Sequence, residues 1–229
     1  MWSRSSAATY QYTLPGTYAP RRPAATFSRT EIQHIVIALT VLTFDFWLLF
    51  SGLTGFSMFA HVAGMNYVQA LAVALLVGLT GFFSHEMAHK FAARAFGLWA
   101  EFRMYVQMLF LSIIMAAIGF LYAAPGATVV SGAPSLKREW GLISIAGPGM
   151  NLVWTGAFLG AALLPFHYHG YLFWTAVFAL VAQVNTWFAI FNLIPWGPLD
   201  GRKIWHWSKP VWVGAFAGAV ALFIFLFIL

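Results

Sequence analysis

Residues 81–90 read Gly81-Phe82-Phe83-Ser84-His85-Glu86-Met87-Ala88-His89-Lys90, inside a long apolar run. A run of that length is a membrane-spanning helix, because backbone within lipid must satisfy its own hydrogen bonds. On a helix, residues four apart share a face, so His85 and His89 point the same way, ~6 Å apart along the axis. Two neutral imidazoles so placed can share one zinc ion. Glu86 is then placed to serve as general base toward a water at that ion. His-Glu-x-x-His also arises by chance, but a charge at the bilayer centre costs ~2.5–3.5 kcal/mol on insertion scales. An intramembrane glutamate flanked by two histidines therefore implies a functional site.

Composition agrees with the membrane reading. Of 229 residues, 61% are hydrophobic and 8% charged, which excludes a soluble domain of this size. Several runs exceed the ~20 apolar residues that span a bilayer, and they imply helices rather than a barrel. The expected class is an all-α polytopic membrane protein with about five transmembrane helices. The absence of cysteine removes thiolate ligands and disulfides, so any metal must use His, Asp or Glu. The net charge of +6 does not point to nucleic acid, because the basic residues sit at span ends, where they set topology.

Outward from the motif, residues 1–30 are polar, rich in Ser, Thr, Ala and Pro, and carry Arg4, Arg21, Arg22 and Arg29. They read as a mobile cytoplasmic tail rather than a cleaved signal, leaving 31–229 as one transmembrane domain. Spans are expected at about 35–53, 67–96, 141–164, 171–194 and 211–229. Outer loops are expected at 54–66 and 165–170. Gly97 is the expected stop of the motif helix.

Residues 104–130 read two ways. The stretch 104–122 is long enough to cross, giving six spans. Charge favours a re-entrant hairpin instead. With 104–130 entering and leaving on one side, all twelve Lys and Arg residues fall on the cytoplasmic face and the outer loops hold none. Residues 127–130 have strand character.

A catalytic zinc takes three protein ligands and one open position. The remaining carboxylates are Glu31, Asp45, Glu101, Glu139 and Asp200. Glu31 belongs to the tail, Asp45 lies too deep, and Glu101 and Glu139 sit beside basic residues where solvation is the ordinary outcome. Asp200 stands on a Pro-Gly turn at the depth of His89 and is the expected third ligand. Gly147-Pro148-Gly149-Met150-Asn151 interrupts the third span and is followed by Gly156-x-x-x-Gly160. It reads either as close helix packing or as a site wall with Asn151 as hydrogen-bond donor.

Three ordered motifs resemble the site-2 protease family of intramembrane zinc metalloproteases. They are His85-Glu86-x-x-His89, Gly147-Pro148-x-x-Asn151, and Asn192-Leu193-Ile194-Pro195-x-x-Pro198-Leu199-Asp200-Gly201. The likeness is to a short archaeal-type member without PDZ or CBS domain. Arg202 stands where the family often has a second glycine. The resemblance implies one zinc per chain on His85, His89 and Asp200, with Glu86 as catalytic base. It implies that Asn151 steadies the substrate carbonyl or oxyanion and that Asn192 helps shape the site. The implied core spans are 67–96, 141–164 and 171–201, and the implied partners are the lipid bilayer and a membrane-protein substrate. The implied place is the cell membrane, with the N-terminus and active-site end cytoplasmic. A prenyl-protein-type metalloprotease would need a distal Glu ligand, and only Glu101 and Glu139 are available. A metal transporter should carry several embedded ligand clusters, where the sequence offers one. A zinc-binding scaffold would hold the ion without cleaving.

Overall fold

The computed structural model describes residues 27–54, 65–121, 125–131, 137–164 and 171–228. Most of the expected N-terminal tail and of both expected outer loops lies outside these residues. Five helical segments are long and apolar enough to cross a membrane: Arg29–Ser51, Tyr67–Ala95, Lys137–Leu163, Leu172–Leu193 and Lys209–Ile228. The all-α polytopic class is thus as expected.

Each helix starts and stops for local reasons. The Ser28 hydroxyl accepts from the Glu31 N–H and caps α1, Arg29–Ser51, which ends at Gly52 with φ +74°. Asn66 and Gln69 form a reciprocal capping box that starts α2, Tyr67–Val77. That helix runs without a break through a π-helical stretch, Gly78–Phe83, into α3, Ser84–Ala95. Gly97, at φ +74°, ends α3. The Gly97 and Leu98 amides return to the Arg94 and Ala93 carbonyls, a Schellman closure that only a residue tolerant of left-handed backbone permits.

The 104–122 region resolves the choice between spanning and re-entry. Its helix α4, Val106–Ala117, has 12 residues. That is ~18 Å of helix against a hydrocarbon core of ~30 Å. On either side lie β1, Trp99–Met104, and β2, Gly126–Ser131, which pair antiparallel from Trp99↔Ser131 to Met104↔Gly126. The chain therefore returns at Gly126 to lie beside Met104, from which it departed into α4. The strand character expected at 127–130 is β2; its partner β1 was not anticipated.

Helix α5, Lys137–Leu163, continues through Pro148, and α6, Tyr171–Leu193, packs along it. Then come the short α7, Asp200–Trp207, and α8, Lys209–Ile228. The main core is formed by α1, α2 and α6 around Leu42, Phe46, Val77, Val181 and Phe188.

Two expectations about acidic residues need correction. Glu31 is not a tail residue and Glu101 is not solvated. Glu31 is fully buried and pairs through both carboxylate oxygens with the equally buried Lys90 of α3. Glu31 Oε1 also accepts the Phe102 amide of β1 at 3.1 Å. Glu101 is 8% exposed, bonded to Ser28 and paired with Arg103. A charge beside basic residues at a span end can be solvated or paired; here a strand carries both groups under α1, and pairing wins. Asp45 is buried on α1 and is not one of the residues grouped with the two histidines.

Candidate metal centre

The facing stripes of α3 and α5 build the site. The two helices run antiparallel, so Gly81 of the π-helical stretch and His85 and His89 of α3, each four apart, meet residues 151, 147 and 143. The His85 and His89 rings stand edge to face with Nε2 atoms 3.0 Å apart. Asp200 Oδ2, from the first turn of α7, lies 2.9 Å from His89 Nε2 and 3.5 Å from His85 Nε2. These ligand atoms all fall within 4.8 Å of one another, and all three residues are buried. This is the only such group of His and carboxylate ligands among the described residues.

Helix α5 decides which imidazole nitrogens face inward. His89 Nδ1 is 2.7 Å from the Ile143 carbonyl. A carbonyl only accepts, so Nδ1 carries the proton and Nε2 keeps its lone pair. His85 reaches the same state by a longer chain. Asn151 Nδ2 donates to the Gly81 carbonyl at 2.8 Å and to Asn185 Oδ1 at 3.3 Å. Its Oδ1 must therefore face His85 Nδ1, 2.6 Å away, and accept from it. Asn185 is held in turn by Thr80 and the Val181 carbonyl. Partners of this kind behind the ligands fix tautomer and ring angle and are worth 10–100-fold in metal affinity. Asn151→Ala is expected to weaken zinc binding by about that factor, and a competition titration against a chelator would read it.

Gly147 supplies the room. A Cβ there would sit 2.6 Å from His85 Nε2 and closer still to His89 Nε2. A cradle that a single methyl would fill, lined by two imidazole lone pairs and a carboxylate, fits a compact cation that accepts nitrogen and oxygen ligands. Gly147→Ala should abolish stoichiometric zinc in the purified protein while leaving helix content unchanged by circular dichroism.

Asp200 reaches the site because the chain turns sharply. Gly197 sits at φ +63°, and a Cβ on Gly201 would strike the Leu193 and Ile194 carbonyls at the end of α6. Burial alone would raise the Asp200 carboxyl. The positive field of Lys203 opposes this and favours the ionised carboxylate that a metal ion requires. Lys203 Nζ, 3.3 Å from Oδ1, leaves Oδ2 for the imidazoles.

The structure brings together His85, His89, Asp200 and Asn151, with Glu86 one residue along α3. Thr128 of β2 touches Glu86: its amide and its hydroxyl each lie 2.8 Å from Glu86 Oε2. Asn192 does not join the group; its amide donates back to the Phe188 carbonyl at 3.0 Å. The sequence reading missed Ile143, Thr128 and Lys203. The spacing of Ile143, Gly147 and Asn151, four apart, was available as a signal that all three share a face with the histidine partner. Nothing in the sequence pairs residue 128 with residue 86.

No family model matches the chain. No solved structure matches it. Two named proteins do. The Methanocaldococcus jannaschii protein named "putative zinc metalloprotease" is 29% identical over 187 residues, covering 81% of this chain and 88% of that protein. A Bacillus subtilis protein, "putative zinc metalloprotease YwhC", is 31% identical over 156 residues, covering 61% of this chain and 69% of that protein. On that likeness and its coverage, the chain belongs to the zinc metalloprotease family these relatives name.

Proposed function

We propose that the protein is an intramembrane zinc endopeptidase that hydrolyses a peptide bond in the transmembrane segment of a membrane-protein substrate. The observation that carries this reading is the convergence of His85 Nε2, His89 Nε2 and Asp200 Oδ2 from separated helices within a bundle of candidate spans. Zinc held by these three residues would supply Lewis acidity toward the scissile carbonyl and acidify its water toward pKa ~7.

The chain's own groups do the rest. Glu86 takes the proton of the attacking water and passes it to the leaving amine. Asn151 acts behind His85 as an orienting group. Its amide hydrogens face Gly81 and Asn185, which supports orientation over the oxyanion role that the resemblance implies. The peptide groups of a transmembrane helix are tied up by hydrogen bonds, so a substrate must unwind before it is cut. The outer edge of β2 can receive it through the outward groups of Val130 and the Thr128 carbonyl, since the Thr128 amide is held by Glu86. The Val129 amide faces β1, so proline at 129 would break the hairpin rather than a substrate pairing. The positive-inside rule favours an N-terminus and a site end on the cytoplasmic side.

Purified protein in vesicles should cleave a model single-span substrate within its span, stop when chelated, and resume on zinc addition. Cleavage that persists in chelator, or a zinc-loaded protein that cuts no span, would sink the reading.

A further inference from the structure

Phe102 and Thr128 are register partners in the two-stranded sheet, and each turns its amide away from the other strand. Each outward amide ends on a glutamate. Phe102 donates to Glu31, which is paired with Lys90 of α3. Thr128 donates to Glu86, one helical turn before Lys90. The sheet is thus moored to α3 at both edges through one rung. At the β2 edge the mooring is double, because the Thr128 hydroxyl also reaches Glu86 Oε2 at 2.8 Å and the Glu86 carbonyl at 3.0 Å.

We propose that Thr128 is the positioning residue of the general base. Its amide and hydroxyl fix Oε2 of Glu86, so that Oε1 is the oxygen turned to the reacting water. A glutamate side chain has three rotatable bonds, and a displacement of 1 Å at a reacting group can cost 10²-fold in rate. Two hydrogen bonds converging on one carboxylate oxygen remove that freedom before substrate arrives. The sheet, itself tied to α3 through the Lys90–Glu31 pair, is the rigid part that carries Thr128. This inference rests on the peptidase reading, but it assigns a function to β2 that the ligand set does not require.

The test uses the full chain in vesicles with the model single-span substrate. Thr128→Val keeps the β-branched shape and the amide but removes the hydroxyl. It should lower kcat on the order of tenfold or more, with KM within about twofold and zinc content unchanged. Thr128→Ser restores the hydroxyl and should return kcat to within about threefold of the parent. A Thr128→Val enzyme with the parental kcat would overturn the proposal. So would a loss carried by KM or by zinc content, or one that Thr128→Ser does not repair. A second arm needs no activity. Amide hydrogen exchange at residue 128 should quicken in Glu86→Ala, and an unchanged rate would also overturn it. Failure of the parent protein to cleave would count against the peptidase reading, while the exchange arm still decides the contact.

Discussion

Glu86→Gln is expected to abolish peptide hydrolysis while the protein keeps its full zinc. The amide is isosteric with the carboxylate and its oxygen can still accept from Thr128, so α3 and β2 should stay where they are. What goes is the ability to take a proton. General base catalysis contributes 10²–10⁴-fold, and the loss should appear in kcat rather than KM. Zinc stoichiometry should be unchanged, because Glu86 is not among the converging ligand atoms. Full cleavage by Glu86→Gln would show that the base has been misassigned. Loss of zinc would place Glu86 among the ligands.

The second large effect falls on stability. Glu31→Ala should destabilise the protein by about 3–5 kcal/mol, because it leaves the Lys90 ammonium buried without its counter-ion. The Phe102 amide loses its acceptor at the same time, so β1 should loosen with it. Lys90→Met alone should cost a comparable amount, through the orphaned carboxylate. The pair Glu31→Leu with Lys90→Met removes both charges and should recover most of the loss, since buried ion pairs exchange for apolar groups at little net cost. Thermal unfolding in detergent reads all three. If Glu31→Ala unfolds at the parental temperature, the pair is not holding the sheet.

The long elements were legible because lipid permits little else. Runs of ~20 apolar residues fixed the five candidate spans to within a few residues, and Gly97 marked the end of α3 by its tolerance of left-handed backbone. The grouping of His85, His89 and Asp200 was legible for a different reason. With no cysteine and six carboxylates in the chain, elimination left Asp200 opposite His85 and His89. What stayed hidden depends on pairing at a distance. Whether Glu31 and Lys90 are solvated or joined turns on where α1 meets α3, and no local pattern states it. Strand β1 was invisible because Trp99 to Met104 mixes charge with apolar residues and gains its identity only from β2. Thr128 was hidden with it. Ile143 serves through its carbonyl, so its side chain carries no sign of the part it plays. The Gly147-Pro148-x-x-Asn151 segment supports both readings given to it. Glycine permits close approach, and what approaches is the imidazole pair.

On this reading, three side chains from α3 and α7 hold one divalent ion. X-ray absorption at the zinc edge, on the parent protein and on Asp200→Ala, tests it most directly. One zinc per parent chain is expected, with two imidazole nitrogens at ~2.0–2.1 Å and a carboxylate oxygen, and no stoichiometric zinc in Asp200→Ala. A parent protein that binds no zinc, or an Asp200→Ala protein that keeps its zinc with the same ligand shell, would contradict it.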